Sequence, residues 1–229
     1  MYELHYAPDN ASLILRLVLE EAGLPYRACL VDRSIRQQDS EGYRALNPTG
    51  LIPTLVTPQG PISETAACLL WLSEAHPEAG LAPKPGDKNR PAFLKWLFFL
   101  SNTLHADLRQ LFYPTQYVPK SAIQDHAALL SARLIRHFGL LESAAQQTPA
   151  LFAAPSVLGA YTAALMRWPM LYPRDGARWF CIHDFPALHA MALALEQRPA
   201  ALAAAKAEGL GPTPFTAPQY ACPPEGSAT

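Results

Sequence analysis

The chain has 229 residues, 18 Lys and Arg against 19 Asp and Glu, and it is half hydrophobic with only 16% charged residues. That length and composition hold a sizeable core and exclude an intrinsically disordered protein, while the balanced charge and the lack of a basic stretch exclude a nucleic-acid binder. No apolar run reaches the roughly 20 residues a bilayer span needs, the start MYELHYAPDN has no basic leader, and Cys29, Cys68, Cys181 and Cys222 form no CxxC pair and no metal-ligand rhythm with the seven histidines. The expectation is a reduced, cytoplasmic protein with no membrane, no structural zinc and no prosthetic group.

The first eighty residues change character about every ten positions. Leu4–Tyr6 reads as a short strand closed by Ala7-Pro8-Asp9-Asn10, and residues 11–22 read as a buried helix with Asp9 or Asn10 as N-cap and Gly23 as its stop. Tyr26–Val31 is a second strand, a short helix lies near Tyr43–Leu46, and Pro53–Val56 pairs with Ile62 across the turn Thr57–Gly60. Residues 64–75 form another helix, with Ser63 as its cap. The order β-α-β-α-β-β-α describes a small α/β layer.

The proline-rich run 77–91 reads as a connector, after which the period becomes helical. Phe93, Leu97, Leu100, Leu104, Leu108 and Leu111 form one stripe, and Ser121–Gln124 has the form of a capping box opening a second long helix with Ile123, Ala127, Leu130, Leu134, Phe138, Leu141 and Ala145 inward. Helices follow at 157–166, 185–197 and 199–208, with breaks at Trp168-Pro169 and Tyr172-Pro173. The tail from Gly211 is too rich in proline to be helical and reads as an extended arm or as disorder. The divisions are 1–78, a linker at 79–90, a helical domain over 91–210 and a tail over 211–229. The fold class is α/β plus all-α.

Two strings carry candidate chemistry. In Asn47-Pro-Thr-Gly-Leu-Ile-Pro-Thr-Leu55, Pro53 opens a strand, either as an ordinary trans proline or as a cis peptide that turns the N–H and C=O of Ile52 outward toward another backbone. In Ser63-Glu64-Thr65, exposed N–H groups at a helix start favour a carboxylate and Glu64 opposes an ammonium group, unless this is simply an acidic first turn.

Taken with HYAPDNASLILRLVLEEAGLPY, SETAACLLWL, FFLSNTLHADLRQLFYP and FPALHAMALALEQRPAALAAAKAEGL, these strings make the chain resemble the cytosolic glutathione transferases, of bacterial beta or nu type, over roughly residues 1–210. The resemblance implies a thioredoxin-like N-terminal domain followed by an all-helical C-terminal domain, assembled as a homodimer through the helix at 64–75. It implies glutathione as co-substrate and a small apolar electrophile as second substrate. By motif, Ile52 before Pro53 would hold the cysteinyl backbone, Glu64 and Thr65 the γ-glutamyl end, and Arg36 or Arg33 the glycyl carboxylate.

The thiolate is the nucleophile, and lowering a thiol from about 8.5 to about 6.5 takes about 2.7 kcal/mol of preferential stabilisation. Beta-class members place Cys before Ser after the first strand, but here the order is Asn10-Ala11-Ser12, which excludes a cysteine mechanism and leaves Asn10, as in nu-class members, or Ser12 as the thiol's donor; for both residue types a plain helix cap is the competing role. His105 shares a face with Ser101 and Arg109 and matches a segment whose histidine serves the beta-class site. Phe112, Tyr113, Arg167 and Trp168 are candidates for the electrophile pocket, Tyr6 for the core. One departure is Gly159, where the family places an acidic partner for the cap at Ser156. Disulfide reduction with glutathione and non-catalytic glutathione or ligand binding are the rival functions.

Overall fold

The computed structural model describes residues 1–174, 176 and 178–228. Strands β1 (Tyr2–Tyr6), β2 (Tyr26–Leu30), β3 (Thr54–Thr57) and β4 (Gly60–Ser63) form one sheet in the order β2-β1-β3-β4. β1 runs parallel to β2, with Tyr6 opposite Leu30, and antiparallel to β3, with His5 opposite Thr54; β3 and β4 pair antiparallel. Alternation along β1 sends Tyr2, Leu4 and Tyr6 into the core and Glu3 and His5 to the other face.

Helix α1 (Ser12–Glu21) is buried from Ser12 through Leu19 and packs against three other helices. It ends as the sequence predicts. Gly23 has φ 62°, and the Leu24 N–H bonds Leu19 O while the Gly23 N–H bonds Glu20 O, the paired bonds of a Schellman stop. After α2 (Glu41–Leu46), helix α3 (Thr65–Ala75) leads to the helical half. There α4 (Arg90–Phe99) passes through a π-helical turn, Leu100–His105, into α5 (Ala106–Phe112), and all six residues of the apolar stripe are buried. Helices α6 (Ile123–Gln147), α7 (Pro149–Phe152), α8 (Val157–Leu171), α9 (Pro186–Glu196) and α10 (Pro199–Glu208) complete the set. Among the described residues no helix is long and apolar enough to cross a membrane.

Several local expectations are corrected. Ser63 closes β4, and Glu64, at φ 69°, stands at the N-cap of α3 without a side-chain bond. The box at Ser121–Gln124 does not form, because a 3-10 turn over Lys120–Ala122 delays α6 to Ile123. Helix α8 runs through Pro169 and stops at Tyr172. Pro169 sits in the last turn of a helix buried on nearly every side, so only one ladder bond is lost there.

The departure at Gly159 has a steric cause. A Cβ there would lie 2.2 Å from Phe152 O, so no side chain fits, while Ser156 still caps α8 by accepting the Leu158 N–H. The tail is an ordered arm over its described length. Phe215 is fully buried, and Glu196 accepts from the Phe215 and Thr216 N–H groups and the Thr216 hydroxyl.

Candidate active site

A cavity of about 810 Å³ lies where the β1–α1 loop, the turn before β3 and the start of α3 face the π-helical turn, α5 and α8. It is lined on the sheet side by Asn10, Ala11, Ile52, Pro53, Glu64 and Thr65. The Ile52–Pro53 peptide is cis. The turn leading to it is pinned from beneath, with the Tyr43 hydroxyl and the Asn47 amide both donating to Leu51 O at 2.6 and 2.8 Å. At the N-terminus of α3 the first N–H groups have no intrahelical partner, and the positive end of the helix dipole faces the cavity lined by Thr65.

Asn10 accepts the Ala11 N–H at 2.7 Å, and its side-chain N–H groups have no hydrogen-bond partner among the described residues. It is therefore not the expected helix cap, and its donors remain available. Ser12 is corrected. Its Oγ is fully buried, donates to Ala7 O and accepts from the Ala7 N–H, and does not line the cavity. Asp9 is no cap either. It accepts a bidentate pair of bonds from Arg167 at 2.8 and 3.0 Å, and further bonds from the Trp168 indole and the Tyr172 hydroxyl. Arg167 is thereby removed from the electrophile pocket, since its side chain is wholly buried in this ion pair.

The opposite wall is aromatic. His105 Nδ1 lies 2.9 Å from the Tyr161 hydroxyl, and its ring packs on Tyr161 and Trp168. Burial, and secondarily Arg109, pushes the imidazole down to about 4. Burial first, then the Glu64 charge, raises the Tyr161 phenol, so that carboxylate acts across the cleft. Phe112 meets Tyr172 edge-on, and Tyr113 accepts a bond from Arg33 at 3.2 Å. Arg33 also donates to Ala228 O, and Arg36 lines the cavity while paired with Asp39. No cysteine lines the cavity among the described residues; Cys68 is buried beneath it, and burial followed by Glu64 pushes its thiol up to about 12.

Residues 11–75 match the N-terminal domain of glutathione S-transferases. Glutathione S-transferase GST-4.5 of Xanthomonas campestris is 30% identical over 121 residues, 53% of this chain and 58% of that protein. A sphingomonad glutathione S-transferase solved in complex with glutathione is 28% identical, covers 91% of this chain and 100% of its own, and superposes with a TM-score of 0.74. The chain is similar to glutathione S-transferases, in sequence over its N-terminal domain and in fold over most of its length. It is also similar to the disulfide-bond oxidoreductase YfcG of Escherichia coli, 34% identical over 106 residues, 43% of this chain and 48% of that one. The chain thus spans only about half the length of these curated relatives, 58% and 48%.

Among the cavity residues that the sequence does not mark are Tyr161, Tyr172 and Ala228. Tyr161 stands inside an apolar helix run with nothing to mark its hydroxyl as cavity-facing. Tyr172-Pro173 reads only as a break, and Ala228 reaches the site through tail packing that no local pattern encodes.

Proposed function

We propose that this protein is a glutathione transferase that joins the glutathione thiolate to a small apolar electrophile, with no prosthetic group. Glutathione would lie along the sheet-side wall, its cysteinyl backbone on Ile52, its γ-glutamyl end at Glu64 and Thr65 on the N-terminus of α3, and its glycyl carboxylate toward Arg33 or Arg36. The Asn10 amide, the donor in the β1–α1 loop left without a partner, would hydrogen-bond the thiolate. His105, uncharged at neutral pH, and the aromatic wall would receive the electrophile. The chemistry asked of the protein is thiolate stabilisation and proximity. Two copies would pair through α3.

The observation that carries this reading is the convergence of Asn10, Ile52, Glu64 and Thr65, far apart in sequence, on one cavity whose other wall is aromatic. The test is the pH at which bound glutathione acquires thiolate ultraviolet absorbance. Asn10→Ala should raise that pH by about one unit, the loss of one charge-assisted hydrogen bond of about 1.4 kcal/mol, and should shift the pH–rate profile with chloronitrobenzene equally. An unchanged profile removes Asn10 from the thiol.

The likeness to YfcG, with no cysteine at the cavity, favours a second reading, disulfide exchange carried entirely by bound glutathione. Faster turnover of hydroxyethyl disulfide than of chloronitrobenzene would select it. Tight glutathione binding with no fall in the thiol pKa would select a binding protein instead.

A further inference from the structure

The parallel pairing of β1 and β2 sets His5 directly opposite Cys29 and Glu3 opposite Arg27, on the sheet face away from the buried Leu4 and Tyr6. A Glu3 carboxylate oxygen, a His5 ring nitrogen and Cys29 Sγ all lie within 4.8 Å of one another. His5 Nε2 is shut off from solvent and has no hydrogen-bond partner. Its approach to Glu3 Oε2, 3.8 Å, is too long for a hydrogen bond. A buried ring nitrogen in that state is rare enough to need an explanation. Cys29 has only a long contact to Arg27 O at 3.9 Å, and Arg27 holds Glu3 by the other carboxylate oxygen at 2.7 Å, leaving Oε2 open. A second cavity, of about 340 Å³, is lined by His5 and Cys29 together with Gln37, Ser40 and Tyr43.

We propose that Glu3, His5 and Cys29 form a divalent-cation site of zinc type, with the fourth position filled by water from this cavity. One sulfur, one imidazole nitrogen and one carboxylate oxygen make the mixed donor set that suits zinc. Ligand atoms on a tetrahedral zinc stand about 3.3–3.6 Å apart, so the three donors reach coordination by side-chain rotation on a fixed backbone. Cys29 binds as thiolate, its proton leaving to solvent. Thiolate and carboxylate together neutralise the dication, and Arg27 is the outer partner that orients Glu3. The ion ties the edge strand β2 to β1. None of the three ligands lines the glutathione cavity, so the site is separate from the proposed reaction. Sequence spacing hides it, because residues 3, 5 and 29 meet only through strand pairing.

The test uses the full chain, stripped with a chelator and titrated with Co²⁺ alone. The expected result is one equivalent bound, with a sulfur-to-cobalt charge-transfer band and the visible bands of a tetrahedral ion, all displaced by Zn²⁺. Cys29→Ser should abolish the charge-transfer band, and His5→Gln should weaken binding at least about tenfold. No charge-transfer band in the parent chain overturns the proposal. So does a band that survives in Cys29→Ser, which would put the metal on Cys181 or Cys222. If His5→Gln fails to fold, Cys29→Ser decides alone, since Cys29 sits half-exposed on an edge strand.

Discussion

Burial pushes the His105 imidazole down to about 4, with Arg109 adding to the fall, and this has a consequence for stability. The unfolded chain takes up the proton near pH 6.5 and the folded chain only near pH 4. Between those values the unfolded state binds more protons, so the contribution is full above pH 6.5 and declines as the pH drops toward 4. By pH 5 the single group costs about 2 kcal/mol. His105→Gln keeps a polar group beside Tyr161 and removes the titration. Denaturant curves at pH 8 and pH 5 should therefore show the variant losing about 2 kcal/mol less than the parent, and equal losses would mean that the folded chain protonates this ring as easily as the unfolded one. His105 stands out in sequence only through the face it shares with Ser101 and Arg109 and its match to a segment whose histidine serves the beta-class site. The Tyr161 partner does not stand out, because it comes from a helix 56 positions on.

At the scale of elements, the helices were read well and their ends poorly, for one physical reason. Apolar periodicity is local, whereas the polar groups that finish an element come from elsewhere in the chain. The N-terminus of α9 is capped by Glu142 of α6, whose two oxygens accept the Ala187 and Leu188 N–H groups. Asp9, which looks like a cap for α1, instead binds α8 through Arg167 and Trp168. That ion pair fixes the β1–α1 loop, and with it Asn10, against the helical half. Both side chains are fully buried, so removing one partner strands a charge. Asp9→Ala should cost about 3–5 kcal/mol in thermal or denaturant unfolding. Replacing both, as in Asp9→Leu with Arg167→Met, should cost much less, because no bare charge remains. If the double variant is as unstable as Asp9→Ala, the loss comes from the Trp168 and Tyr172 bonds and not from the stranded guanidinium.

Across the whole molecule, the tail joins parts that the sequence reading kept separate. It leaves α10 at Gly209, whose own carbonyl accepts the Cys222 N–H, and it is anchored by Phe215, by Glu196, and by Arg167 donating to Pro214 O and Gln219 O. Its last described residues then cross to the sheet. Glu225 accepts the Tyr6 hydroxyl at 2.5 Å, Gly226 lies against Leu30, and Ala228 O takes a bond from Arg33 at 3.1 Å on the cavity wall. Proline content alone left an arm and disorder equally open, since neither Glu196 nor Arg167 is marked in sequence as a tail anchor. The end of the arm thus competes for a guanidinium that the proposed function gives to the glycyl carboxylate. A neutral carbonyl is the weaker acceptor by about 1 kcal/mol. Deleting residues 223–229 should therefore tighten glutathione binding by about fivefold in calorimetry, while the anchors that remain hold the loss of folding stability to about 1 kcal/mol. In an Arg33→Gln background the same deletion should leave affinity unchanged, because the competition has lost its object. Weaker binding in the truncated chain would show instead that the arm is a wall of the glutathione site.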